Sequence, residues 1–143
     1  MSNLYSIKAL PTIPDKFLLC IQDIEKFEPL FADFGHLGYA TYSASTELKD
    51  FLQPFFHNPI TCTYQVIKKN LAPHRDVCKQ QNKYNYIYSG NTNVITSWLA
   101  DDTVIQSVCC EFHTWYELNV SVNHQVQEVI LPRISVVVKE KTG

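Results

Sequence analysis

The feature that most narrows the fold is a succession of short strand-like runs that fills the chain from Ile60 onward. They are Thr61–Lys68, Lys83–Tyr88, Val94–Leu99, Val104–Phe112, Trp115–Val122 and Ile134–Lys139. β-Branched and aromatic residues dominate them, and turn chemistry separates them at Ser89-Gly90-Asn91 and Asp101-Asp102. No helical period intervenes, so parallel strands with helical crossovers are excluded and an antiparallel sandwich or barrel is expected.

The first part of the chain has a mixed texture. Asp15 can cap a helical face of Phe17, Leu18, Ile21 and Ile24, interrupted by Pro29, although Phe17 to Ile21 reads equally as a strand. A second helix is expected over Thr46 to Phe56, with Ser45 as N-cap, Leu48, Phe51, Leu52 and Phe55 on one side, and His57-Asn58-Pro59 as its end. The reading is therefore mainly β with one or two N-terminal helices, in a single domain over residues 1–143. Residues 1–58 would form a helical or mixed support and residues 60–140 the β core. Lys139 to Gly143 reads as a frayed tail.

Composition limits the function classes. With 143 residues, 45% hydrophobic and 18% charged, the chain suits one folded globule with a real core. A net charge of −2 gives no electrostatic case for nucleic acid or an anionic membrane as partner. No apolar stretch of about 18 residues is present, and Met1 to Leu10 lacks the basic start and apolar core of a leader. The five cysteines form no C-x-x-C pair, which argues against a disulfide framework or zinc knuckle. Adjacent Cys109 and Cys110 would point to opposite faces of a strand, one a core thiol and one a surface thiol in a reducing compartment. Cytoplasm is the expected location.

The chemistry sits in three places. From Leu118 to Val126 apolar and polar residues alternate, and His124 falls in the apolar phase with Leu118, Val120 and Val122, so it should point inward. In Pro73-His74-Arg75-Asp76, residues two apart share a face of an extended segment, so His74 and Asp76 can aim a nitrogen and a carboxylate at one point. Two imidazoles and a carboxylate with open positions suit a redox-active Fe(II) centre, and zinc accepts the same donors. Arg133 and Ser135 lead into Val136-Val137-Val138 and share a face. Arg75 and Arg133 are the two arginines of the chain, and a guanidinium with a hydroxyl two residues on suits a carboxylate.

His-x-Asp, a distal His and then Arg-x-Ser, in this order on β-runs, resembles the Fe(II)/2-oxoglutarate-dependent oxygenase superfamily. The nearer likeness is to small aspartyl/asparaginyl β-hydroxylase-like or phage-type members. The match spans Tyr64 to Arg133 and includes Tyr84-Asn85-Tyr86, Thr96-x-Trp98 and Trp115 to His124. The resemblance implies a double-stranded β-helix, or jelly roll. It implies Fe(II) on His74, Asp76 and His124, which makes these the catalytic residues, and 2-oxoglutarate on Arg133 and Ser135 with dioxygen as co-reactant. Lys83 and Asn85 fall where relatives place polar groups near the cosubstrate, Asn85 being carried as a contact. Tyr64, Tyr86 and Trp98 would be pocket walls. The expected activity is hydroxylation of an amino-acid side chain or small metabolite, the substrate being a small molecule or a peptide side chain.

Taken singly, these residues have plainer readings. His124 would be a hydrogen-bonded core histidine, His74 a solvated one, Asp76 a turn cap and Arg133 a salt-bridge partner of Glu128 or Glu117. His36, His57 and His113 read as surface residues, Arg75 as facing water rather than gating substrate entry, Lys68-Lys69 as a solvated strand end, and Tyr84, Tyr86, Tyr88, Trp98 and Trp115 as core fillers. Two other functions stand beside the oxygenase. One is a metal-binding cupin-type enzyme that does not use 2-oxoglutarate, and the other is a non-catalytic jelly-roll binding module.

Overall fold

The computed structural model describes residues 3–17, 31–33, 38–76 and 82–141. Its strands are β1 (Tyr5–Lys8), β2 (Phe31–Asp33), β3 (Tyr39–Ser43), β4 (Ile60–Ile67), β5 (Leu71–His74), β6 (Asn82–Ser89), β7 (Ile95–Ala100), β8 (Thr103–Val108), β9 (Trp115–Asn119), β10 (His124–Gln127) and β11 (Arg133–Glu140). The α-helix α1 (Thr46–Leu52) lies between β3 and β4. A seven-stranded sheet has the order β1-β9-β6-β11-β4-β3-β2, and a four-stranded sheet the order β5-β10-β7-β8. All pairings are antiparallel. From β4 onward the chain alternates between the sheets, β4 large, β5 small, β6 large, β7 and β8 small, β9 large, β10 small, β11 large. That winding is a cupin-like jelly roll, a double-stranded β-helix.

Period-two alternation decides what each sheet face carries. On the outer face of the large sheet Tyr42, Tyr64, Val66, Tyr86, Trp115, Val136 and Val138 pack with Ile13 and with Leu48 and Leu52 of α1. Between the sheets lie Ile87, Trp98, Tyr116, Leu118 and Val120, with Ile67, Leu71, Val94 and Val126 in a neighbouring cluster. The helix thus braces the back of the large sheet. Ser45 caps it, its Oγ accepting from Leu48 N at 3.2 Å, but the α-helix stops at Leu52 and Gln53–Phe55 is 3-10. Pro54 in that segment has no N–H to continue the α ladder, and Phe55 is 51% exposed rather than on the buried side.

Other expectations need correction. Asp15–Phe17 is a single 3-10 turn, and the remainder of the proposed first helix or strand, with Leu18, Ile21 and Ile24, lies outside the described residues, as does His36. The run Val104–Phe112 ends as a strand at Val108, since Cys109 to His113 turns away. There Cys109 Sγ contacts Thr92 O at 3.1 Å, and Glu111 N donates to Tyr116 Oη at 3.0 Å. Even so, Cys109 is exposed and Cys110 buried. The run Trp115–Val122 ends at Asn119, whose Oδ1 accepts from Ser121 N at 3.0 Å and Ser121 Oγ at 2.7 Å. This Asx turn carries the chain from the large sheet to the small one before His124. Of the expected frayed tail, Lys139 and Glu140 are instead the end of β11, paired to Thr61 and Ile60, and Thr142 and Gly143 lie outside the described residues. At the β7–β8 turn Asp101 and Asp102 have φ of 50° and 64°, the left-handed pair that a tight two-residue hairpin requires.

Candidate active site

The site is built where β5 and β10 pair. His124 lies opposite His74 in register, and the next pair is Val126 with Leu71, so a bulge in β5 follows immediately. Pro73 is tolerated because β5 is the edge of its sheet. Past the end of β5, Asp76 N donates to Val120 O at 3.0 Å, which fixes the carboxylate beside the two rings. The ring centroids of His74 and His124 are 4.4 Å apart, and Asp76 Oδ1 stands 3.5 Å from each Nε2. His124 is buried, whereas the side chains of His74 and Asp76 are 37% and 22% exposed on the side that opens to solvent.

Hydrogen bonding determines which nitrogens face inward. His74 Nδ1 donates to Ala72 O and His124 Nδ1 to Val122 O, both at 2.8 Å. A carbonyl only accepts, so each Nδ1 carries the proton, and in the neutral ring each Nε2 offers a lone pair. Two lone pairs and a carboxylate then converge, with candidate ligand atoms of the three residues within 4.8 Å of one another. Such an electron-rich point demands a cation, either a proton or a metal. His74 and Asp76 are already shifted in that sense. The hydrogen bond to Asp76 raises the pKa of His74 above its usual value, against burial. Burial disfavours the Asp76 carboxylate, but the bonds from His124 and His74 and the charge of Lys83 outweigh it and hold its pKa well below the usual range. The trio fits a divalent metal ion, with borderline nitrogen donors, one hard oxygen and an open side.

The trio lines a cavity of about 560 Å³ between the sheets. Its walls include Thr63, Gln65, Lys83, Asn85, Trp98, Leu118, Val120, Arg133, Val137 and Lys139. Arg133 begins β11 and is only 4% exposed. Among the described residues no carboxylate forms an ion pair with it, and its Nε has no hydrogen-bond partner. Burial pulls its pKa below the ordinary arginine value. Ser135, fully buried on the same strand face, and Asn85, nearly so, also hold orphaned polar atoms, Oγ and Oδ1. An unsatisfied buried polar atom costs about 1–3 kcal/mol, so the orphaned atoms of Arg133 and Asn85 on the cavity wall mark a surface made to meet a polar guest, whereas Ser135, expected beside them, is buried behind the wall and does not line the cavity.

Of the expected pocket walls, Trp98 is present. Tyr64 and Tyr86 are not, because Gln65 and Asn85 face the cavity and their neighbours must face the opposite way. Tyr86 Oη instead accepts from Ile13 N at 3.3 Å, and Tyr64 Oη donates to Phe17 O at 3.3 Å in the outer core. Arg75, His57 and His113 are exposed, with Arg75 at the cavity rim. The sequence reading missed Lys139, dismissed as tail, and did not commit Lys83, although Lys139 shares the period-two phase of Arg133 and Ser135. Among the described residues, no helix is long and apolar enough to cross a membrane.

No protein-family model matches the chain, and no curated protein matches it. Solved structures do. A Bacillus subtilis oxalate decarboxylase, described with Mn(II) centres, is similar over 83% of this chain and 29% of its own, with 12% identity and a TM-score of 0.52. A second structure of oxalate decarboxylase, treating its substrate binding mode, gives 14% identity and a TM-score of 0.52 over the same shares. The structure of OsALKBH1 is similar over 99% of both chains, with 10% identity and a TM-score of 0.58. The chain thus spans under a third of the decarboxylase length, and at these identities the likeness is one of fold.

Proposed function

We propose that this protein is an Fe(II)- and 2-oxoglutarate-dependent oxygenase that hydroxylates an amino-acid side chain or a small metabolite. The observation that carries the reading is the buried Arg133 guanidinium, which has no carboxylate partner among the described residues and lines the same cavity as His74, Asp76 and His124. A buried cation without a partner is costly, and a carboxylate on the cosubstrate would offset that cost.

In this reading His74 Nε2, His124 Nε2 and Asp76 would hold the metal at the cavity they line. When bound, Fe(II) with 2-oxoglutarate supplies dioxygen activation, the cosubstrate leaving as succinate and carbon dioxide while the substrate gains a hydroxyl. Arg133 would pair with the distal carboxylate, the partner a guanidinium suits best. Asn85 would supply a further polar contact on that wall, with Ser135 buried behind it on the strand face of Arg133. The Ala72 and Val122 carbonyls keep both imidazoles in the tautomer that presents Nε2. Trp98, Leu118 and Val120 provide an apolar lining that keeps water from the reacting centre. The Trp98 indole is fixed by its N–H donating to Asn119 O at 2.8 Å.

Anaerobic calorimetry with Fe(II) followed by N-oxalylglycine, a non-reacting 2-oxoglutarate mimic, tests the reading, together with aerobic succinate formation. Binding of both, with slow succinate release, is expected. Metal binding without any affinity for N-oxalylglycine would point to a cupin-type metal enzyme that does not use 2-oxoglutarate, and absence of metal binding to a non-catalytic module.

A further inference from the structure

The charge around the cavity is lopsided. Among the described residues four cationic side chains line it, Arg75, Lys83, Arg133 and Lys139, against the single carboxylate of Asp76. The chain as a whole is net negative, at −2, so this positive lining is a local construction. It is also divided between two ends. Arg133 and Lys139 share one face of β11 but lie at opposite ends of that strand, about 20 Å apart at a rise of about 3.3 Å per residue. Val138 pairs with Tyr84, so the antiparallel ladder brings Lys139 beside Lys83 at the end away from Arg133. Lys83 Nζ stands 3.9 Å from Asp76 Oδ2, which ties this lysine end to the His-Asp-His trio.

Given the oxygenase reading, on which this inference rests, the charges can be assigned. The cosubstrate carboxylate answers Arg133, and Asp76 is shared between the metal and Lys83. Lys139, half-buried on the cavity face, has no carboxylate partner among the described residues. With Arg75 at the rim it leaves an uncompensated positive field on the open side of the metal, where low-dielectric walls concentrate it. We propose that the substrate is a small molecule bearing an anionic group, carboxylate or phosphate, which Lys139 beside Lys83 receives, so that an adjoining carbon is held against the metal.

The test uses the full chain loaded with Mn(II) and N-oxalylglycine. Inorganic phosphate, propionate and the neutral isostere propionamide serve as probes, read by paramagnetic relaxation of their phosphorus or methyl-proton resonances. Phosphate or propionate should be relaxed by the bound Mn(II), and propionamide should not. Lys139→Gln should weaken anion binding about tenfold, the loss of one charge-assisted hydrogen bond. Lys139→Arg should retain it, and neither variant should alter Mn(II) or N-oxalylglycine affinity. The stronger of the two anions identifies the class. Equal relaxation of propionate and propionamide, or anion binding unchanged in Lys139→Gln, overturns the proposal. Failure of Mn(II) or N-oxalylglycine to bind the wild-type chain removes the oxygenase reading itself, and the anion site falls with it.

Discussion

His74 and His124 are register partners across an antiparallel pair, one closing β5 and the other opening β10, with ring centroids 4.4 Å apart. Fifty residues of chain separate them, yet they are as close as neighbouring rungs of a ladder allow. Asp76, two residues past His74, completes the trio because its backbone is pinned to Val120 at 3.0 Å. The convergence of these three donors therefore depends on sheet pairing, whereas the donors themselves are side chains outside the backbone hydrogen bonds that pair the strands.

That separation gives the first prediction. His124→Ala, His74→Ala and Asp76→Asn should each reduce divalent-metal affinity by at least about a hundredfold, since loss of a direct ligand exceeds the 10- to 100-fold cost of losing an outer partner. Calorimetry with Mn(II) and circular dichroism read affinity and fold separately. Wild-type affinity in any of the three would displace that residue from the ligand set.

Arg133 carries the second. Because its charge is buried without an anion among the described residues, Arg133→Met should raise the stability of the ligand-free protein to denaturant, by about 1–4 kcal/mol. The same change should abolish N-oxalylglycine binding and leave metal binding in place. A less stable variant would show that a protein group already compensates the guanidinium.

The third concerns pH. His74 is raised above its ordinary value of 6.5, so its contribution to the metal-free fold is complete below that pH and is lost as pH climbs through the raised pKa. Asp76 is lowered from 3.8, so its contribution is present above that pH and is lost as pH falls further. The metal-free protein should gain most from this cluster between those two values, whereas metal affinity should fall as pH drops through the His74 pKa, because proton and metal compete for Nε2. Proton NMR titration should show the His74 pKa falling back toward its usual value in Asp76→Asn. An unchanged value would assign the shift to another cause.

Gly90 supports the fourth. Its φ is +137°, and a Cβ there would lie 3.1 Å from Arg133 Cα. Gly90→Ala should cost about 1–3 kcal/mol from the backbone alone and should push β11 outward at Arg133. Weaker N-oxalylglycine binding with little change in metal affinity is the expected signature, measured by paired titrations. Metal affinity that falls equally would indicate a global rather than a local displacement.

Some of this was legible in one dimension. The β-runs that became β4, β6, β7 and β11 lie within a residue or two of their predicted bounds, because alternation and β-branched content report a strand locally. Ser45 as a cap and Asp101-Asp102 as a turn are equally local, since each depends on the geometry of a few adjacent residues. The strands β1, β3 and β5 were not legible. β1 is a short, mostly exposed edge strand, β3 has small Ala40 in its buried phase, and β5 carries Pro73. Each is a strand because a neighbour offers it hydrogen bonds, which its own residues do not announce.

The sequence by itself determined the chemical inventory of the site: two imidazoles, a carboxylate, and an arginine and serine in one strand phase. Tertiary structure decided where those groups meet. Trp115–Val122 reads as continuous strand, but the Asn119 turn moves the chain to the other sheet and sets His124 opposite His74. Parity, which only the register of paired strands anchors, turned Tyr64 and Tyr86 to the outer core and Lys139 to the cavity. Local pattern specifies which residues share a face, and long-range hydrogen bonding specifies which way that face looks.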